Sequence, residues 1–157
     1  MVKERNVLRV AAYAVCVVDE RILLARWVAP DGGRHWTLPG GGMEHGEDPY
    51  LTVIREVAEE TGYTVEPAAL LGVHSRVRHD PGALGRGTSF HGVRLVYEGR
   101  LTGGGLRNET DGSTDLAAWH PLADVPGLDR VELVDRGLAL WRERPADGHL
   151  RAAEGPE

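Results

Sequence analysis

Residues 41–63 read GGMEHGEDPYLTVIREVAEETGY, a glycine-rich loop that runs into an amphipathic segment. Asp48 followed by Pro49 is typical of a helix N-cap and first helical position, and Gly62 is typical of the residue that follows a helix. The sequence therefore predicts a helix that begins at these two residues and ends at about Thr61. Glycines before the helix let the backbone approach a ligand closely.

Acidic residues recur along this helix at helical spacing. Glu56, Glu59 and Glu60 stand at i, i+3 and i+4, within roughly 100° of arc, so we expect them to face outward together, toward the glycine loop. The side predicted to pack on a sheet carries Tyr50, Ile54, Val57, Ala58 and Thr61. Like charges at this spacing repel, and a bound cation is the simplest remedy. Because the candidate ligands are oxygens, a hard ion such as Mg²⁺ or Mn²⁺ is favoured over zinc.

The spacing of the whole stretch is more specific than its charge. It can be written G-x5-E-x7-R-E-V-x-E-E-x-G-Y, and it resembles the signature of the Nudix hydrolases, the family of MutT-like proteins. The defined positions are Gly41, Glu47, Arg55, Glu56, Val57, Glu59, Glu60, Gly62 and Tyr63. Tyr63 stands where the family more often has an aliphatic residue, and it keeps the apolar character. A charged helix face is by itself more often only solvated surface, and the spaced glycines and Glu47 reverse that interpretation.

The resemblance implies a role for each matching position. The implied ligands of Mg²⁺ or Mn²⁺ are the backbone carbonyl of Gly40 and the carboxylates of Glu56, Glu59 and Glu60. The implied catalytic residues are Glu59, Arg55 and Glu47, with Arg55 orienting a glutamate. The implied reaction is metal-dependent hydrolysis of a pyrophosphate bond in a nucleoside diphosphate derivative, with a carboxylate as general base. The implied fold is an α/β/α sandwich, with a mixed β-sheet between this helix and a C-terminal helix.

The source of the general base remains open between two regions. The helix supplies Glu59, whereas a later acidic loop, residues 108–115, supplies Glu109, Asp111 and Asp115. We also regard these three acidic residues as candidates for substrate contact.

Arginines and aromatic residues are candidates for substrate binding, because a guanidinium donates paired hydrogen bonds to phosphate and a ring stacks on a base. The arginine candidates are Arg26, Arg34, Arg76, Arg78 and Arg86. The aromatic candidates are Trp27, Trp36, Phe90, Tyr97 and Trp119. Each arginine alone is more often an ordinary surface residue, and each aromatic in a strand is more often part of the core.

The substrate itself remains open between nucleoside triphosphates, including oxidised ones, and ADP-ribose or another nucleotide sugar. The alternative to an enzyme is a nucleotide-binding or sensor module of the same fold without catalysis. The intact set of acidic positions in residues 41–63 favours the enzyme.

Length and composition predict one domain, over residues 1–145, followed by a disordered tail at 146–157 that is polar and lacks periodicity. The formal net charge is −6 and Lys3 is the only lysine, so we expect a small nucleotide rather than a long nucleic acid as ligand. No apolar stretch reaches the roughly 18 residues that a membrane helix needs. The single cysteine, Cys16, is compatible with a reducing compartment, and we expect a cytoplasmic protein. The family often forms dimers, so a homodimer is a further expectation.

Hydrophobic patterning predicts the remaining elements. Strands are expected at residues 7–18, 21–27, 70–77, 90–101 and 116–120, with a tight turn at Asp19 and Glu20 and a second helix at residues 130–144. The loop at residues 79–87 is long enough to be a substrate lid or an exposed hairpin connection.

Overall fold

The computed structural model describes residues 4–82 and 87–151, and its elements follow the predicted order. The strands are β1 Arg5–Val15, β2 Val17–Val18, β3 Arg21–Val28, β4 Arg34–Thr37, β5 Gly40–Gly42, β6 Tyr63–Asp80, β7 Thr88–Gly104 and β8 Thr114–Pro121. The helices are α1 Pro49–Thr61, a 3-10 helix at Leu122–Gly127, and α2 Glu132–Glu143. The short strands β4 and β5 and the 3-10 helix were not predicted, because each is too short to show a period.

The strands form two four-stranded sheets. The first has the order β5-β1-β7-β6 and is mixed, because β1 and β7 are parallel and its other pairs are antiparallel. The second is antiparallel, with β3 paired to β2, β4 and β8. The predicted strand at residues 7–18 is therefore divided, since the chain leaves the first sheet at Cys16 and enters the second at Val17.

The predicted tight turn lies between β2 and β3. Asp19 and Glu20 both have positive φ, 51° and 60°, and the flanking pair is Val18 with Arg21. Two consecutive positive φ values match the right-handed twist of a two-residue hairpin.

A helix covers each face of the first sheet, which confirms the α/β/α architecture. On β1, Ala12 and Ala14 belong to a core cluster that contains Val53 and Val57 of α1. Tyr13 and Val15 point to the opposite face, because side chains alternate along a strand. There they belong to a second cluster that includes Leu133, Val134 and Leu138 of α2.

The buried side of α1 differs from the predicted side. The buried residues are Thr52, Val53, Val57, Glu60 and Thr61. Tyr50 is instead 41% exposed, and its ring packs edge-on against Tyr97. The helix is rotated toward the glycine loop relative to the prediction, so that the carboxylate of Glu60 is covered.

Residues 146–151 follow α2 and contact the first sheet, which differs from the disorder expected there. The backbone N–H of Val73 donates to the carbonyl of Gly148 at 2.9 Å, and Leu150 packs against the α2-side cluster. A side chain at Gly72 would meet the Gly148 carbonyl at 2.3 Å, so this approach requires glycine. Residues 152–157 of the predicted tail lie outside the described residues.

The loop expected at residues 79–87 connects the long strands β6 and β7 as a hairpin. His79 and Asp80 still belong to β6, and β7 begins at Thr88. Arg86 lies outside the described residues, so its proposed phosphate contact is not described. Neither α-helix is long and apolar enough to cross a membrane in the part of the chain that the structure describes.

Candidate active site

Helix α1 is fixed at both ends by the residues that the sequence indicates. The side chain of Asp48 accepts a hydrogen bond from the Tyr50 backbone N–H at 2.8 Å, which is a standard N-cap, and Pro49 is the first helical residue. Gly62 ends the helix with φ of 81°, and its N–H donates to the Ala58 carbonyl. These contacts set the position of every carboxylate on the helix.

The glycine loop lies directly against this helix. A side chain at Gly41 would meet the Glu56 carboxylate at 2.7 to 3.0 Å, so the absence of one makes room for that group. Gly40 has φ of 147°, and a side chain there would meet the Ala12 carbonyl at 2.3 Å. Both positions therefore depend on glycine, one for the carboxylate and one for the backbone.

Arg55 is the centre of the ion-pair network of α1. Its Nε and Nη2 donate to the two oxygens of Glu47, at 2.8 and 2.9 Å, a bidentate pair. Its Nη1 donates to Glu56 at 3.0 Å and to Glu59 at 3.4 Å. Nη2 also donates to the Gly42 carbonyl at 3.2 Å. Arg55 thus ties the loop, Glu47 and two helical carboxylates together.

Glu47 is held in its ionised form. Hydrogen bonds from Arg55 and then Thr52 lower the pKa of Glu47 from 4.5 to about 2. The Thr52 hydroxyl donates at 2.6 Å, and the Glu44 backbone N–H donates at 3.2 Å. Every oxygen of Glu47 is therefore engaged within the protein, which favours a positioning role over proton transfer.

Glu60 is buried, which corrects the expectation that the three helical carboxylates face outward together. Its exposed fraction is 3%, and its Oε2 accepts a hydrogen bond from the Gly40 backbone N–H at 3.1 Å. Burial raises the pKa of Glu60 well above 4.5, and the negative charges of Glu56 and Glu109 raise it further, against the opposing effect of the Gly40 hydrogen bond. No salt bridge reaches this carboxylate within the described residues.

Glu56 and Glu59 differ from Glu60 in exposure. Burial also raises the pKa of Glu56, although Arg55 partly offsets the effect. Its side chain is 15% exposed, whereas the side chain of Glu59 is 49% exposed. One helix therefore presents a buried, a half-buried and an exposed carboxylate within one turn.

Glu56 and Glu60 line one cavity with Gly40, Gly41 and Gly42, and its volume is about 310 Å³. Among residues 4–82 and 87–151, no three His, Cys, Asp or Glu side chains already converge as a metal site. The donor set nevertheless fits a hard divalent cation, since it consists of carboxylate oxygens whose pKa values are raised mainly by burial. A cation would compensate Glu60, which no basic side chain among the described residues reaches.

The acidic residues of the loop at residues 108–115 differ in where they lie. Glu109 accepts hydrogen bonds from the Thr114 hydroxyl at 2.5 Å and backbone N–H at 3.2 Å, and its charge acts on Glu56 and Glu60. Asp111 has a positive φ of 61° and is exposed. The loop therefore brings one of its acidic residues close to the carboxylates of α1.

Asp115 forms a separate cluster with two of the predicted phosphate-binding arginines. Arg26 donates to both of its oxygens at 2.9 Å, and the Nε of Arg34 lies 3.1 Å away. The hydrogen bond from Arg26 lowers the pKa of Asp115. The β3–β8 register shifts between Arg26, which pairs with Leu116, and Trp27, which pairs with Thr114. Asp115 therefore has no partner residue on β3 and lies next to the guanidinium of Arg26. None of the three lines the cavity beside Glu56, and Asp115 pairs with both arginines.

A second cavity, of about 370 Å³, contains the other predicted arginines, Arg76 and Arg78, together with Phe90. Arg9 and Arg94 line both cavities, and the sequence-based list lacks them. Strand alternation could have indicated both arginines. Arg9 and Arg94 share a strand face with Ala11 and Val96, which are core residues two positions later. A charged residue in a core-facing register is informative only when the strand is placed in its sheet.

The predicted aromatic residues also divide. Trp27 lines both cavities and Phe90 lines the second. Trp36 packs edge-on against His120, Tyr97 packs against Tyr50, and Trp119 donates from its indole nitrogen to the Tyr63 hydroxyl at 3.1 Å. Of the five predicted aromatic residues, Trp27 and Phe90 are the ones that line a cavity in which a base could stack.

Comparison with known families supports this geometry. The model of the NUDIX domain matches residues 7–141, which include α1, all of the strands except the first two residues of β1, α2 as far as Trp141, and every residue that lines the cavity beside Glu56. The chain belongs to the NUDIX domain family. The resemblance carried by residues 41–63 is thereby confirmed.

Curated relatives within the NUDIX family carry different activities in their names. The human 8-oxo-dGDP phosphatase NUDT18 is 34% identical over 124 residues, which cover 78% of this chain and 35% of that protein. The ADP-ribose pyrophosphatase of Methanocaldococcus jannaschii is 33% identical over 119 residues, which cover 76% of this chain and 65% of that protein. The chain thus spans about a third of the human relative's length.

Solved NUDIX structures share the fold. A NUDIX hydrolase from Nitrosomonas europaea superposes with a TM-score of 0.72 at 21% identity, covering 96% of this chain and 100% of that one. A MutT NUDIX hydrolase from Burkholderia pseudomallei gives 0.66 at 28% identity, covering 85% and 98%.

Proposed function

We propose that this NUDIX protein hydrolyses a pyrophosphate bond in a small nucleoside diphosphate derivative, with Mg²⁺ or Mn²⁺ as cofactor. The observation that carries the proposal is the pair Glu56 and Glu60. They stand beside a three-glycine strand in one cavity, burial raises both of their pKa values, and no basic side chain in the described part of the chain forms a salt bridge with Glu60. Binding of a divalent cation would stabilise such a site, and phosphate oxygens would complete the coordination of that cation.

The proposed ligands are Glu56, Glu59, Glu60 and the Gly40 carbonyl. When bound, the metal supplies charge compensation for the pyrophosphate and lowers the pKa of a water molecule. Glu59 shares the Nη1 donor of Arg55 with Glu56, so these two carboxylates already lie next to each other. Glu60 is held toward the loop by the Gly40 N–H, which fixes one of its oxygens and leaves the other for the cavity.

The other residues of the network position these carboxylates. Glu47 is ionised and engaged with Arg55 through two hydrogen bonds, so it holds the guanidinium in the plane that reaches Glu56 and Glu59. The Thr52 hydroxyl fixes Glu47 in turn. We assign Glu47 and Arg55 to orientation rather than to contact with the reacting phosphorus.

The general base is proposed to be Glu59, which is the most exposed carboxylate of α1 and has only one long hydrogen bond. Glu109 is the alternative, since its charge already acts on both Glu56 and Glu60. Asp115 fits this task less well, because its bidentate partner Arg26 stabilises the ionised form and lowers its ability to accept a proton.

The proposed substrates are nucleoside di- and triphosphates, including oxidised ones, and ADP-ribose or another nucleotide sugar. Relatives named for 8-oxo-dGDP and for ADP-ribose support both classes about equally at the level of identity. The carboxylates of the cavity beside Glu56 support a pyrophosphate as the group that binds there, and the rest of the substrate would contact neighbouring residues.

The test is a substrate screen of the wild-type protein and of Glu60→Gln with Mg²⁺, read out as release of phosphomonoester. Glutamine keeps the hydrogen bond from Gly40 and removes the charge, so kcat should fall by about a thousandfold, the size expected when several kcal/mol of charge stabilisation are lost. Glu66→Gln is the matched control, because Glu66 is an exposed carboxylate on β6 that pairs with Arg100.

Two outcomes would contradict the proposal. Equal activity of Glu60→Gln and wild type would remove the metal-ligand assignment. Absence of hydrolysis for the whole panel, together with tight nucleotide binding, would instead establish the binding or sensor module.

A further inference from the structure

The cavity beside the carboxylates adjoins the second cavity, and together they form one cleft with opposite charge at its two ends. Five residues line both cavities: Arg9, Tyr13, Trp27, Arg94 and Val131. Glu56 and Glu60 line only the first, whereas Arg76 and Arg78 line only the second. Arg9 and Arg94 therefore lie at the boundary between an acidic end and a basic end.

The register of the first sheet places these arginines on one face. Arg94 of β7 pairs with Ala11 of β1, and Arg9 pairs with Gly92, two residues before Arg94. Gly92 also pairs with Arg76 of β6. Because side chains alternate along strands, Arg9, Arg76 and Arg94 lie on the same face of the first sheet, which is the face against which α2 packs. Gly92 between them carries no side chain, and a methyl group there would find no atom closer than 3.8 Å, so the centre of the group is open.

Arg94 lacks a partner for part of its charge. Its Nη1 is buried and has no hydrogen-bond acceptor among the described residues. Burial lowers the pKa of Arg94, and the positive charges of Arg76 and Arg9 act in the same direction. The facing carboxylate, Glu132, lies 3.9 Å from Arg76 and is already paired with Arg136 at 3.0 Å. A buried donor without an acceptor is costly, and an anionic ligand would remove that cost.

Arg9 reaches the acidic end of the cleft. A side chain at Gly42 would meet the guanidinium of Arg9 at 3.0 Å, so this arginine lies against the same glycine strand that borders Glu56. Arg9 and Arg94 would therefore reach the phosphates on the side of the carboxylates away from α1. In a diphosphate this is the outer phosphate of the pyrophosphate itself, and in a triphosphate it is the next phosphate along.

We infer that Arg9 and Arg94 bind the terminal phosphate of a nucleoside di- or triphosphate, so that the chain prefers such substrates over nucleotide sugars. The inference rests on the proposed function and narrows its substrate class. A terminal phosphate carries one more negative charge than the same phosphate esterified to a sugar, as in ADP-ribose. Two guanidinium groups that have no carboxylate partner within residues 4–82 and 87–151 distinguish these two chemical forms through charge-assisted hydrogen bonds.

The test compares KM and kcat for dGDP, dGTP and ADP-ribose in wild type, Arg94→Ala, Arg9→Ala and Arg94→Lys. We expect Arg94→Ala to raise KM for the two phosphate-terminated substrates by about tenfold or more, since a hydrogen bond to a charged group is lost. KM for ADP-ribose should change by less than about threefold, the size of a weak or indirect contact. Arg94→Lys keeps the charge without the planar fork and should recover part of the loss.

Arg100→Ala is the matched control, because Arg100 also belongs to β7, is exposed and pairs with Glu66 outside the cleft. Its kinetic constants should equal those of wild type. Loss of the partly buried stem of Arg94 can lower the melting temperature in either case, so the kinetic pattern decides. A purely structural arginine would affect all three substrates alike.

Equal loss for all three substrates in Arg94→Ala, or a wild-type preference for ADP-ribose, would overturn the inference. Failure of the proposed function is recognised separately, since wild type would then turn over none of the three. In that case titration with the α,β-methylene analogues of ADP and of ADP-ribose decides. A roughly tenfold loss of affinity confined to the first analogue in Arg94→Ala sustains the phosphate site, and no such loss removes it.

Discussion

The acidic and basic ends of the cleft are built in opposite ways. At the acidic end, Arg55 donates four hydrogen bonds to Glu47, Glu56 and Glu59 and a fifth to the Gly42 carbonyl. Of the four glutamates at positions 47, 56, 59 and 60, Glu60 alone has no basic partner among the described residues. At the basic end, Arg9 and Arg94 have no carboxylate partner among the described residues, and Arg76 has only a distant one.

The protein itself preorganises the acidic end, whereas we propose that a ligand completes the basic end. Hydrogen bonds hold the carboxylates of the acidic end before anything binds, so substitutions there should act on kcat. The basic end gains its partner only with the substrate, so substitutions there should act on KM, as tested with Arg94 above. Three further changes sharpen or break this contrast.

Of these three changes, Arg55→Ala is expected to have the largest effect on kcat. Loss of the guanidinium frees Glu47, Glu56 and Glu59 together, and changes in residues that orient metal ligands typically cost about 10- to 100-fold in activity. We expect kcat to fall by this amount with KM nearly unchanged in steady-state assays. Arg151→Ala is the control, since Arg151 forms an exposed i,i+4 pair with Asp147 away from the cleft. A change confined to KM would show that Arg55 contacts substrate instead.

A pair of glycine substitutions compares the two ends directly. Gly41→Ala would place a methyl group within 3.0 Å of the Glu56 carboxylate, a flexible group that can shift without disturbing the backbone. We expect kcat to fall about tenfold, because small displacements of positioned groups are costly, while the melting temperature stays close to that of wild type. Gly92→Ala at the basic end meets open space, so its kcat should remain within about twofold. Similar kcat losses in both variants would break the contrast between the ends.

The smallest effect concerns the stability of the acidic end in acid. Arg55 and Thr52 lower the pKa of Glu47 from 4.5 to about 2, so its ionised form stabilises the fold above pH 4.5, and this contribution is lost as the pH falls toward 2. Glu47→Gln lacks the contribution at every pH. The difference in free energy of unfolding between wild type and variant should therefore be largest at pH 6 and vanish near pH 2, measured by urea denaturation.

Much of the acidic end was predictable from sequence because its residues are neighbours along one helix and its preceding loop. The N-cap at Asp48, the end at Gly62 and the contact of Arg55 with glutamates all follow the predicted positions. The burial of Glu60 was not predicted. Helical spacing shows which residues share a side, and it does not show which side the loop and sheet will cover.

The basic end and the Arg26–Asp115–Arg34 cluster were beyond the reach of the sequence for another reason. Their members come from strands far apart in the chain, and their contacts depend on the parallel pairing of β1 with β7 and on a register shift between β3 and β8. A shift of one residue would turn each side chain to the opposite face. Arginine is common on surfaces, so its presence in a strand carries no signal until the register is known.

The amino-acid sequence by itself determined the family, the boundaries of α1 and the identity of the acidic residues, because these depend on spacing within a single continuous segment. Tertiary structure alone decided that Glu60 is buried against Gly40, that Asp115 pairs with Arg26, and that Arg9 and Arg94 meet beside the carboxylates. The physical reason is that local spacing fixes directions around one helix, whereas burial and charge pairing between strands are fixed only when the sheets assemble.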